Sequence, residues 1–256
     1  YDFFNHRRWV HPDPIEFLYD YDSPADREIV GMIAANLAYG NVKQILTSVS
    51  RVLERLPEPA HILKESSIKN LRKEFRSFRH RFTSGEDLVW MLERMSKTIR
   101  RYGSLENCFL EGMQPEEETV LPALSRFIET LAGGRKAVQS HWILASPWKS
   151  SACKRLHLYL RWMVRSDEVD PGGWSRVPAA KLIVPLDTHM FRIARETGWT
   201  DRRQAGAATA LEVTEALRKI NPEDPVRYDF ALTRLGILRY DRMALVLDTL
   251  RQAGNS

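Results

Sequence analysis

Apolar residues along this chain return every three to four positions, and helix-starting and helix-stopping residues punctuate the runs. A short helix is predicted from His11-Pro12-Asp13-Pro14 through Tyr19. Ser23-Pro24-Ala25-Asp26 opens the next, in which Ile29, Val30, Ile33, Ala34 and Leu37 share a face, and Gly40-Asn41 breaks it. Val42, Ile45, Leu46, Val49 and Leu53 mark a third, ending before Pro57. The pattern over 61–75 is ambiguous. Ser84-Gly85-Glu86-Asp87 caps a helix with Leu88, Leu92, Met95 and Ile99 inward, stopped by Gly103. Further helices are predicted over Glu116 to Leu131, Arg202 to Ile220 and Pro225 to about Leu238. No run alternates convincingly enough to suggest a sheet, so the expected fold is all-α.

Two helices between these carry the candidate chemistry. In Ile183-Val184-Pro185-Leu186-Asp187-Thr188-His189 an apolar approach ends at one carboxylate and a helix starts straight after it. Asp187 can cap the free N–H groups of that helix; an ordinary N-cap is one reading of it. Met190, Ile193, Ala194 and Thr197 then share a face, and Gly198 stops the helix. Upstream, Ser150-Ser151-Ala152-Cys153-Lys154-Arg155-Leu156 opens a helix that runs to about Arg165, with Ser150 or Ser151 as its expected N-cap. Leu156, Tyr159, Leu160, Met163 and Val164 make the expected buried face; Lys154, His157, Arg161 and Arg165 share the opposite stripe. Lys149, Lys154 and Arg155 crowd the first turns, where the helix dipole is already positive and Asp or Glu is the usual choice. An anion-binding site or a reactive amine would account for that placement.

The two segments together resemble the helix-hairpin-helix DNA glycosylases, over about residues 141–198. In that superfamily an Asp sits at a helix start after a run similar to Val184-Pro185-Leu186-Asp187-Thr188-His189. In its bifunctional members a Lys on the second helix of the hairpin precedes the Asp and is the nucleophile; Lys154 and Asp187 match those roles in that order. Their separation, about 33 residues, is closer to the archaeal 8-oxoguanine enzymes than to the eukaryotic type. The chain also resembles a bacterial family of hypothetical proteins carrying the same Lys154-Arg155-Leu156, Leu160-to-Arg165 and Pro185-to-His189 elements. The superfamily's Gly-rich hairpin turn is absent, and Ala145 to Ser151 stands in its place.

The resemblance implies one glycosylase-like unit over 1–256, made of two intimate helical lobes with the active site in the cleft between them. It implies a DNA glycosylase with lyase activity on an oxidised base, 8-oxoguanine before others. The implied partner is double-stranded DNA containing a damaged base. Lys149, Ser150, Ser151, Arg155 and His189 would contact the DNA, while Asn36, Tyr39 and Trp174 would face the base. Arg79, Arg81 and Phe82 fall in a stretch similar to an Arg-Phe segment of the archaeal enzymes. No metal or organic cofactor is expected, and the protein is expected to act as a monomer. A non-catalytic nucleic-acid-binding module and a helical protein-interaction scaffold are the competing readings.

Composition narrows this further. At 256 residues and 43% hydrophobic, the chain can bury a substantial core. It opens on Tyr1 rather than Met, so an N-terminal piece is expected to precede it. Its apolar runs are too short for a membrane span, and no signal peptide is legible. Cys108 and Cys153 form no CxxC pair, which excludes a disulfide framework and a four-Cys iron–sulfur cluster and points to the cytoplasm. Net charge is +5, but its distribution says more. From Thr130 to Ser166 there is no Asp or Glu, while Arg135, Lys136, Lys149, Lys154, Arg155, Arg161 and Arg165 all fall there, the footprint expected for a phosphate backbone. A second basic tract, Lys69 to Arg81, is interrupted only by Glu74 and reads as a solvated face.

Overall fold

A computed structural model describes residues 1–148 and 151–238. The described chain is mostly helical, as the periodicity predicts. In order come 3-10 turns at Arg7–Trp9 and Pro14–Asp20, then α1 (Pro24–Leu37), α2 (Val42–Leu53), α3 (Pro59–Glu65) and α4 (Ile68–Glu74). A hairpin of two-residue strands follows, β1 (Arg79–His80) and β2 (Thr83–Ser84), antiparallel with Arg79 opposite Ser84. Then come α5 (Gly85–Tyr102), α6 (Leu105–Glu111), α7 (Leu121–Ala132), α8 (Arg135–Ser140), α9 (Lys154–Val164), a 3-10 turn at Ala179–Lys181, α10 (Thr188–Thr197), α11 (Ala207–Ile220) and α12 (Asp229–Leu238).

Local chemistry sets most of these boundaries. Ser23, Asn41, Ser67, Ser104 and Asp187 each accept a hydrogen bond from a backbone N–H of the turn they start. Ser84 and Asp87 form a reciprocal capping box on α5. Gly133 and Gly198 end α7 and α10 in the left-handed conformation. Helices α6 and α8 and the β1–β2 hairpin have no counterpart in the sequence reading, and three expected helix starts move. Helix α7 begins at Leu121 rather than Glu116, because Pro122 in its first turn favours a helix start there. Helix α11 begins at Ala207 rather than Arg202, behind Gly206, which pairs with Ser151 in an isolated bridge. Helix α12 begins at Asp229, with turns over 225–228. The segment 61–75 resolves into parts of α3 and α4.

The buried apolar residues form one continuous core around α1. Every residue of α1 from Glu28 to Leu37 is buried, the signature of a central helix covered on all sides. Helix α9 crosses it closely at Gly31, where a Cβ would sit 3.3 Å from both Met163 Sδ and Tyr159 Cε2. Helix α12 packs on α10 at Gly236, where a Cβ would lie 3.3 Å from His189 Cβ. These packings place the starts of α9, α10 and α12 around one opening. No described helix is long and apolar enough to cross a membrane.

Candidate active site

Helix α9 begins at Lys154 and α10 at Thr188, so Lys154 and the capping Asp187 stand at the starts of two different helices. The fold brings them together: Lys154 Nζ lies 3.4 Å from Asp187 Oδ2. The other carboxylate oxygen, Oδ1, accepts the Met190 N–H at 2.8 Å, so cap and ion pair use different oxygens. The amine is partly open and the carboxylate largely enclosed, at 38% and 17% side-chain exposure.

Both side chains line a cavity of about 720 Å³, a size that accommodates a nucleobase with its sugar. Its walls come from the segment Trp9–Pro14, residues 38–40 that follow α1, the start of α2, the first turns of α9 and α10, and one face of α12. Tyr39 and His189 line it too. Tyr39 is fixed by its hydroxyl, 2.7 Å from both the His80 carbonyl and Thr83 Oγ1.

A family model described as a protein of unknown function, DUF2400, matches residues 13–238. The chain belongs to this family. No curated protein and no solved structure matches it. The DUF2400 match spans Lys154, Asp187 and nearly the whole cavity wall.

Within this DUF2400 chain several expected site residues stand elsewhere. Trp174 is buried in the core, its ring packed against Phe109, Phe127 and Tyr159 and its Nε1–H donated to Glu28 Oε2 at 3.2 Å. Gly172 N–H to the Trp162 carbonyl and Trp174 N–H to the Met163 carbonyl lay that linker onto the end of α9, which carries the indole away from the cavity. Asn36 is fully buried, with its Nδ2 donating to the Met32 carbonyl at 2.9 Å, and does not line the cavity. Arg155 lines it, yet Nη1 donates to the Asn36 and Ile143 carbonyls and Nη2 to that of Trp142. It therefore clamps α9 to the end of α1 rather than offering a free fork to a phosphate. Ser151 does not cap α9. Cys153 holds the N-cap position, at φ 46°, without a side-chain bond, and Ser151 Oγ accepts its N–H at 3.3 Å. Lys149 and Ser150 lie outside the described residues.

The expected basic stripe of α9 is corrected as well. His157, Arg161 and Arg165 are all buried. Arg161 pairs with Asp170 (3.1 Å) and Asp229, and Arg165 with Asp170, with Asp167 at 2.8 Å and with Asp224 at 2.8 Å. Elsewhere in the acid-free tract, Arg135 reaches Glu129 and His141 reaches Asp87, each at 3.8 Å. The tract is acid-free in sequence and largely paired in space.

Asp229 is the cavity residue that sequence reasoning missed. It lies in the first turn of α12 and lines the wall beside Asp187 and Arg161. Burial pushes its carboxyl up to about 6; the Arg161 charge opposes this and the Asp187 charge adds to it. Its Oδ1 is buried without a hydrogen-bond partner. An acid in a helix first turn is too common a feature to flag it from sequence alone. Cys153, beside Lys154, is buried and does not line the cavity, and burial pushes its thiol up to about 11. Among the described residues no cluster of His, Cys, Asp and Glu could hold a metal ion.

Proposed function

We propose that this protein is a DNA glycosylase with associated lyase activity, acting on an oxidised purine such as 8-oxoguanine. The observation that carries this reading is the Lys154–Asp187 pair, 3.4 Å apart on the wall of an open 720 Å³ cavity, from positions 33 residues apart in sequence. An amine nucleophile needs an adjacent group to take its proton, and a departing base needs negative charge near the sugar. Asp187 supplies both.

In the proposed sequence the damaged nucleotide swings out of the duplex into the cavity, at roughly a few kcal/mol of lost stacking and pairing. Asp187 accepts a proton from the Lys154 ammonium. The freed amine attacks C1′, and the C1′–N bond to the base breaks with its electron pair leaving on the base, which takes up the proton held by Asp187. A proton passes from the new C1′ nitrogen to the ring oxygen as the sugar opens, which gives a protonated Lys154 imine. Asp187 then takes a C2′ proton, the electron pair left behind expels the 3′ phosphate and nicks the strand, and water hydrolyses the imine to release the enzyme. The chemistry needs no group beyond those two side chains.

Borohydride reduction of the protein on duplexes carrying 8-oxoguanine or other oxidised bases tests the reading directly. A covalent complex that requires Lys154 supports it, and absence of trapping on every lesion, with DNA bound, sinks it. The second reading is a nucleic-acid-binding module without chemistry. It is favoured by the exposed cations Lys43, Arg51, Arg79 and Arg81, which line a concavity apart from the Lys154–Asp187 pair.

A further inference from the structure

Four cations without carboxylate partners among the described residues stand together away from α9. Lys43 and Arg51 stand two helical turns apart on α2, with Thr47 between them, while Arg79 lies on β1 and Arg81 in the turn of the facing hairpin. Together with Gln44 they line an open concavity of about 390 Å³. No Asp or Glu lines it, and none of the four cations has a carboxylate within ion-pair distance among the described residues. Four like charges in one hollow repel each other, and folding leaves that repulsion standing unless an anion enters.

The backbone is built to hold this arrangement. Between Arg79 and Arg81, the His80 side chain turns inward, with Nδ1 2.9 Å from Ser48 Oγ and Nε2 3.2 Å from the Tyr39 carbonyl. That pins the hairpin to α2 and leaves both arginines on the outer side. Arg81 adopts φ 51°, a left-handed conformation that non-glycine residues seldom take. Its side chain lies over Gly40, where a Cβ would come within 2.6 Å of Arg81 Cδ and Nη1. Gly40 lines the Lys154/Asp187 cavity. Arg81, which lines the hollow, therefore packs against Gly40, which lines the cavity.

We propose that the hollow between α2 and the hairpin grips the phosphodiester backbone of a nucleic-acid strand whose neighbouring nucleotide occupies the Lys154/Asp187 cavity. This rests on the reading of that cavity as a nucleotide site. Point charges interleaved with the neutral donors Gln44 and Thr47 suit successive phosphates, and continuity through Arg81 and Gly40 favours a strand running between the sites over a free polyphosphate or an acidic peptide.

The test compares duplex binding by fluorescence anisotropy across a salt series. The variants are Lys43→Gln/Arg51→Gln on α2, Arg79→Gln/Arg81→Gln on the hairpin, and Lys69→Gln/Lys73→Gln on the outer side of α4 as control. Thermal melts establish that each is folded; all six side chains are exposed, and the two hollow pairs act independently should one misfold. Each hollow pair is expected to weaken binding about tenfold or more at moderate salt and to flatten the slope of log K against log salt by about one for each phosphate no longer gripped. The control pair leaves both unchanged. Hollow variants that bind as the wild type does, or a control pair that weakens binding as much as they do, overturn the proposal. So does a hollow that takes tripolyphosphate without displacing DNA, or an acidic peptide in preference to it. Borohydride trapping at saturating DNA separates the two readings. Trapping with unaltered binding in the hollow variants removes the hollow and keeps the enzyme. Salt-dependent binding through the hollow with no trapping on any lesion does the reverse.

Discussion

Asp187 divides its carboxylate between two partners: Oδ1 accepts the Met190 N–H that starts α10, and Oδ2 faces the Lys154 amine at 3.4 Å. A residue with both duties can be dissected, because only one of them needs a charge.

Asp187→Asn keeps the acceptor that caps the helix. Its stability should stay within about 1 kcal/mol of the wild type, since Asn caps as well as Asp. Trapping should nevertheless be lost, because the amide can neither take the Lys154 proton nor balance charge on the sugar. Denaturant melts beside borohydride trapping check this; a variant that unfolds or traps normally removes Asp187 from the chemistry.

Lys154→Gln should abolish trapping and leave lesion binding nearly intact. The stability change should be small, within about 1 kcal/mol. The lost pair with Asp187 is partly exposed, and the lost cation sat at the positive end of α9. Retained trapping in this variant would mean that another amine attacks.

Arg161 predicts the opposite profile. Its charge is enclosed between Asp170 and Asp229, both buried. Arg161→Met should cost about 3–5 kcal/mol, because two carboxylates lose their shared partner in a low-dielectric interior. Chemical denaturation measures this; a loss below about 1 kcal/mol would show that those carboxyls are content without the guanidinium.

Glu28 makes stability depend on pH. Its carboxylate accepts the N–H groups of Leu105 and Glu106 and the Trp174 indole N–H, yet burial dominates and pushes its carboxyl from 4.5 up to about 7. Between those values the folded state binds more protons than the unfolded state, so this group's contribution falls as pH rises from about 4.5 to 7. His157 acts with the opposite sign, since burial holds its imidazole down to about 4 and stability is lost as pH falls from 6.5 towards that value. The two cancel in a simple melt. The difference between wild type and Glu28→Gln isolates one of them: the wild type should lose on the order of 3 kcal/mol relative to the variant across that window. A pH-independent difference would show that Glu28 stays ionised throughout.

Much of the fold is legible in the sequence because the signals are local. A cap needs only the next three residues, a helical face only the next turn, and a stop only one glycine, as Ser84, Asp187 and Gly198 show. Lys154 and Asp187 each stand at a legible helix start, but it is the resemblance to the helix-hairpin-helix glycosylases that singles them out as a pair. Where local signals compete, as around Glu116 and Arg202, the boundary moves to Pro122 and Gly206.

By itself, then, the sequence determined that the protein is built from helices and where most of them start and stop, and it singled out Lys154 and Asp187 as residues to compare in space. Tertiary structure decided which charges are spent inside. Arg161 and Arg165 read as a free basic stripe until acids from Asp167 to Asp229 close over them. The tract ending in Arg79 and Arg81 reads as an ordinary solvated face until α2 brings Lys43 and Arg51 opposite. Trp174 reads as a stacking platform until the linker folds it onto α1 and α9. The reason is common to all three: pairing and burial are set by residues far away in sequence, and Coulomb and hydrophobic forces act on distance in space alone.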